Sequence, residues 1–129
     1  MNLTKTMKLT TNFNLSEFAC KDGTPVPDLF LPNVIELAKN LQVLRDALGK
    51  PIYINSAYRT AEHNEKVGGS PKSQHLICKA ADIRTSSLRP KEIADVIEVL
   101  IKEGKMKQGG LGIYENFVHY DFRGKKARW

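Results

Sequence analysis

The sequence predicts an α+β fold in which a small antiparallel sheet carries the functional residues and packs against helices. Two observations carry this reading. Apolar residues recur at helical spacing over 34–48 and 90–104, each run closed by a glycine. Short runs rich in β-branched and aromatic residues, bounded by turn residues, lie at 51–56, 80–84, 110–114 and 117–122. Helices interleaved with strands this short suit a mixed fold better than a parallel doubly wound one. With 129 residues, a single domain spanning 1–129 is the natural expectation.

The elements follow in order. Residues 1–12 are polar and rich in Thr and Lys, and read as an arm or a short edge strand. Residues 14–18 read as a capped helical turn with Ser16 as the cap. Gly23, Pro25, Pro27 and Pro32 make 21–32 a loop. Val34, Leu37, Ala38, Leu41, Leu44 and Leu48 form the buried stripe of a helix that Gly49 ends. A strand follows at 51–56. Thr60 then caps a helix that runs to Val67 and stops at Gly68-Gly69. Residues 70–79 read as a loop and 80–84 as a buried strand. Pro90 opens a helix with Ile93, Val96, Ile97, Leu100 and Ile101 on one face and Gly104 past its end. Two strands at 110–114 and 117–122 flank a tight turn near Glu115-Asn116. The tail, 123–129, is basic.

Hydrophobic residues make up 41% and charged residues 26%, as in an ordinary globular protein. No apolar run approaches 18 residues, so no membrane-spanning helix and no stable membrane association are expected. The first eight residues lack the apolar stretch of a secretory signal, which predicts synthesis in the cytoplasm. A net charge of +6 suits a polyanionic partner such as an anionic wall polymer or nucleic acid, and equally a basic protein with no special partner. Cys20 and Cys78 are too few for a disulfide framework and read as free thiols.

The chemistry concentrates at His75, Asp82 and His119. Two imidazoles and a carboxylate are a common ligand set for a catalytic zinc, which leaves a fourth position for water. His75 comes from the 70–79 loop, Asp82 from the strand after it and His119 from a separate strand, so they form a one-sided site if they converge. All three side chains offer a deprotonated donor near neutral pH.

The stretch 55–82 carries Ser56, Tyr58-Arg59-Thr60, His63-Asn64, Val67-Gly68-Gly69, Ser73, His75, Ala80 and Asp82 in one ordered series. Gly110, Gly112, Phe117-Val118-His119, Asp121 and Trp129 continue it. This series resembles the signature of the zinc D-Ala-D-Ala carboxypeptidase and phage endolysin family, peptidase family M15, over residues 13–129. The resemblance implies zinc as cofactor, bound by His75, Asp82 and His119. It also implies a substrate-facing Arg59 that stabilises a carbonyl or carboxylate. Tyr58, Ser73 and Gln74 are the accompanying candidates for substrate contact. The implied substrate is a peptidoglycan stem peptide, and the implied setting is the bacterial wall or periplasm. A monomeric phage lysis enzyme is the expected form.

The chain departs from the family pattern twice. Cys78 stands where the signature has glycine, and reads as a small buried residue or a stray fourth ligand. Asn116 stands where many members place the general-base carboxylate, three residues before the second histidine, and amide cannot accept the proton. Asp121 and Glu115 are the substitutes. Strand alternation places Asp121 on the face of His119, whereas Glu115 needs the turn to fold back. Asp121 has a second reading, as the carboxylate that orients a ligand histidine. His63 reads as a structural histidine, or as a fourth ligand.

Three functions therefore compete. The leading one is a zinc metallopeptidase that cleaves an amide in peptidoglycan. The second is a zinc-containing wall-binding module without catalysis, which Asn116 supports. The third is nucleic-acid binding through the basic tail and Trp129, against which stands a tail with Trp129 packed on the fold.

Overall fold

The computed structural model describes residues 7–129, so the reading of residues 1–6 as part of an arm lies outside the described residues. Lys8–Thr10 (β1) and Phe13–Asn14 (β2) pair as a small antiparallel hairpin. The next turn, Leu15–Phe18, is a 3-10 helix capped from Asn14, not from Ser16 as the sequence suggested. The Glu17 carboxylate accepts the Asn14 N–H at 2.7 Å, because the chain leaves its extended conformation at Asn14.

Leu31–Leu48 (α1) begins earlier than the apolar stripe, with Pro32 in its first turn, where a missing N–H costs nothing. It ends at Gly49, whose φ of 66° is the left-handed cap the glycine permits. Tyr53–Ser56 (β3) and Ala61–Lys66 (α2) follow, then Ala80–Arg84 (β4), Pro90–Lys102 (α3), Gly110–Ile113 (β5), Val118–Asp121 (β6) and Ala127–Arg128 (β7). The main sheet has the order β3-β4-β6-β5-β7. Its first four strands are antiparallel, as expected, and β7 joins the far edge parallel to β5. The tail is thus partly strand, and the sheet is mixed at that edge.

Strand alternation divides the sheet into two faces. Ala81 and Ile83 of β4, Leu111 of β5, and Val118 and Tyr120 of β6 enter the core with Val34, Leu37, Leu41 and Leu44 of α1 and Ile93, Ile97 and Leu100 of α3. The intervening residues, Asp82, His119 and Asp121, point to the other face. Asp82 lies directly across from His119 in the β4–β6 register, and Gly112 lies across from His119 on the β5 side. The pairing of two central strands therefore brings two of the sequence-predicted ligands together without help from loops.

Candidate metal centre and its cleft

The third ligand candidate comes from the 70–79 segment, which is not all loop. Gln74–Ile77 forms a single 3-10 turn, too short to leave a periodic signal. Ser73 caps it, its hydroxyl accepting the His75 N–H at 3.1 Å. Cys78 closes it in the left-handed region at φ 59°, with its N–H bonded to the His75 carbonyl. The turn demands a conformation that glycine adopts without cost and that other residues adopt rarely. Cys78 is fully buried, and burial pushes its thiol up to about 12.

His75, Asp82 and His119 converge, with one donor atom from each lying within 4.8 Å of the others. All three are buried, at 3%, 6% and 7% exposure. The second nitrogen of each ring is already committed. His75 Nδ1 lies 2.7 Å from the Ala57 carbonyl, and His119 Nε2 lies 2.7 Å from Asp121 Oδ2. That fixes His75 Nε2 and His119 Nδ1 as the free nitrogens, and both face Asp82 Oδ1, at 3.2 and 3.0 Å. Two imidazoles held by outer acceptors, with their other nitrogens turned toward one carboxylate, are a donor set that fits zinc. Burial alone would raise the Asp82 pKa, but hydrogen bonds from His119 and His75 outweigh it and bring the group to about 2. Burial likewise opposes the charged form of His119, yet Asp121 and Asp82 together leave its pKa raised.

Asp121 does not face the open side of this cluster. It is completely buried behind His119, and its carboxylate accepts the Gly110 N–H and the Nε–H and Nη2–H of Arg123 as well as meeting His119. These bonds to His119 and Arg123 hold its carboxyl well below the usual carboxylate range despite burial. The shared face that strand alternation predicted is real, but the geometry suits orientation of His119 and leaves no lone pair free for a water. Glu115 is exposed on the β5–β6 turn and does not line the cleft.

The cleft over the cluster has a volume of about 620 Å³. Arg59, Ser73 and Gln74 line it, as the sequence suggested. Tyr58 does not: it is a core residue, its ring 5.9 Å from Phe30. Tyr58 lies past the end of β3 and, like Ala57 before it, turns into the core, whereas Arg59 turns to the cleft. Arg59 is held at three points, to Ser56 Oγ at 3.1 Å, Asn64 Oδ1 at 3.2 Å and Asp82 Oδ2 at 3.2 Å. Asn64 is itself buried and donates to the Ser70 carbonyl.

No role at this site was read from the sequence for the opposite wall, built by Tyr114, Phe117, Arg123 and Trp129, although Phe117 and Trp129 stand in the ordered series. Tyr114 and Phe117 stack at 4.5 Å, and the Trp129 indole sits 5.0 Å from the His119 ring while donating to the Tyr114 hydroxyl. Gly112 makes room for it, since a side chain there would strike the indole. Trp129 is therefore packed on the fold along one side, with 48% of it left exposed at the cleft. His63 takes no part in this site.

A family model described as Peptidase M15 matches residues 11–121. The zinc D-Ala-D-Ala carboxypeptidase of Streptomyces albus G is 38% identical over 56 residues, which are 43% of this chain and 22% of that protein. The chain thus spans under a quarter of that relative's length. With a match over most of its residues, and with the histidines and aspartate of the signature gathered at one cleft, the chain belongs to the peptidase M15 family.

Proposed function

We propose that the protein is a zinc-dependent peptidase that hydrolyses an amide bond in peptidoglycan stem peptides, with His75, Asp82 and His119 as the metal ligands. The observation that carries this reading is the pair of free ring nitrogens facing one carboxylate at the floor of an open cleft. The relative named above is a zinc carboxypeptidase, which supports the metal and the substrate class. Zinc bound there supplies Lewis acidity to the scissile carbonyl and activates water at neutral pH.

The chain's own residues have separate tasks. Arg59, fixed by Ser56, Asn64 and Asp82, directs its guanidinium at the cleft, where it holds a substrate carboxylate or the developing oxyanion. Lys72 and Arg123 also line the cleft, so cations outnumber the single carboxylate there and favour an acidic peptide. Ser73 and Gln74 sit where they can bond the peptide backbone. Asp121 orients His119 and fixes its tautomer. With Asp121 so committed, the remaining carboxylate candidate is Glu115, which would serve as proton acceptor only if its exposed turn between Tyr114 and Phe117 folded over the cleft. A phage lysis enzyme acting at the bacterial wall as a monomer is the setting this reading favours.

A second reading has one observation in its favour. Among the described residues, Asp82 is the only carboxylate lining the cleft, which suits a zinc-containing wall-binding module without catalysis. Clearing of purified wall suspensions, with and without chelator, separates the two. Chelator-sensitive clearing is expected, with mass spectrometry of the fragments giving the bond cleaved. Wall pull-down without clearing would leave the binding module, and a gel shift with DNA at physiological salt would leave neither.

A further inference from the structure

We infer that Cys20, Asp22 and His63 form a second metal site, for a borderline divalent cation such as zinc, that fastens the turn after the first 3-10 helix to α2. One donor atom from each of the three lies within 4.8 Å of the others. They share no residue with the His75 cluster, so this inference stands apart from the proposed activity.

The sequence builds the cluster from two local devices. Cys20 and Asp22 lie on a tight turn, closed by the Cys20 N–H on the Thr24 carbonyl at 2.8 Å and the Gly23 N–H on the Cys20 carbonyl at 3.0 Å. Gly23 takes φ 99°, which lets the turn double back within five residues. His63 lies in the first turn of α2, whose cap Thr60 accepts the His63 N–H at 3.1 Å. The same Thr60 hydroxyl donates to Asp22 Oδ2 at 3.0 Å, so the cap of α2 also sets Asp22 beside His63. Asp22 accepts the Thr24 N–H at 2.9 Å and the Thr60 hydroxyl at 3.0 Å, and the Cys20 thiol also bonds its carboxylate, so the thiol and carboxylate already meet.

The donor chemistry distinguishes this cluster from a patch of surface charge. Thiolate and imidazole together select zinc and its chemical neighbours over magnesium or calcium. Among the described residues no hydrogen bond holds either ring nitrogen of His63. A separate hollow of about 340 Å³, lined by Asp22, Glu62, His63, Glu65 and Lys66, opens onto it and gives entry and space for a water as fourth ligand. Cys20 is buried, Asp22 exposed and His63 half-buried, so the ion would be reached from one side only. On binding, the Cys20 thiol gives its proton to solvent and the sulfur lone pair forms the bond to the metal. The site would tie down α2, which carries Asn64, the partner of Arg59, and leads into the Gly68–Ser70 wall of the cleft.

Cobalt(II) titration of the full chain, stripped of metal and kept reduced, tests this. Two equivalents should bind, and one should bring a thiolate-to-cobalt charge-transfer band in the near ultraviolet, which the thiol-free His75 cluster cannot give. Cys20→Ser and His63→Ala should each lose one equivalent and the band. His119→Ala should lose the other equivalent and keep the band. Binding to the wild type without the band, whether of one equivalent or two, or a band surviving in Cys20→Ser or His63→Ala, would each overturn the inference. His63→Ala alters a half-exposed helix residue and keeps the test sound if the buried Cys20→Ser folds poorly.

Discussion

His119 has two ring nitrogens, and a carboxylate stands at each: Asp82 at Nδ1 and Asp121 at Nε2. Only Asp82 opens to the cleft. Asp121→Asn should therefore weaken metal binding, by about 10–100-fold as for other outer partners of ligand histidines. Competition against a chromogenic chelator measures it, and unchanged affinity with lost turnover would return Asp121 to the role of base. In Arg59→Ala, with metal held saturating, turnover should fall on the order of a hundredfold, the worth of about 3 kcal/mol for one charge-assisted donor. Wild-type turnover in that variant would remove Arg59 from the mechanism. The ligand candidates and Arg59 were legible in the sequence because an ordered series of rare residue types marks them. The same series names Asn64 and Trp129 but not their tasks, which depend on partners that local pattern does not give, Arg59 for one and Gly112 with His119 for the other.

At the level of elements, the two long helices and the four antiparallel strands could be read from period and punctuation. Helix α3 illustrates why: its buried Ile93, Ala94, Ile97 and Leu100 repeat at helical spacing between Pro90 and Gly104. Strand β7 and the 3-10 turn at Gln74–Ile77 escaped, since two or four residues cannot display a period. β7 nevertheless has a task. It runs beside β5 and delivers Trp129 over Gly112 to the edge of His119. Gly112→Ala places a methyl group against the indole and should destabilise the fold by about 1–3 kcal/mol, as overpacking generally does. The denaturant midpoint should fall and the single tryptophan's fluorescence should shift. A variant with an unmoved midpoint and spectrum would show that β7 yields freely.

For the molecule as a whole, the buried charges set how stability and metal binding respond to pH. In metal-free protein, Asp82 at about 2 lies below its ordinary 3.8, and Asp121 is lowered too. Lowered carboxylates contribute stability that is present above their unfolded value and lost as pH falls toward the folded one. Acid unfolding should therefore set in below about pH 4, the ordinary carboxylate range. His119 has the opposite sign. Its raised pKa contributes stability that is full below its ordinary 6.5 and lost as pH rises through the folded value. Zinc requires the neutral ring, so its affinity should climb over that same rise in pH. Thermal unfolding with and without zinc, from about pH 6 to pH 8, follows both trends in the range where histidine titrates. A zinc-induced shift in Tm that stays flat over this interval would count against His119 as a ligand.

Cys78 turns the fold into its own clock. Its sulfur is sealed in the core, on the hinge between His75 and Asp82, with the thiol pushed up to about 12. An alkylating reagent meets it only during the moments when the 74–82 segment comes away from the sheet, so the labelling rate counts those openings. Peptide mapping tells it from Cys20. An ion gripping the residues on either side should make the clock run slower, and labelling at equal speed with and without zinc would mean that this segment opens independently of the metal.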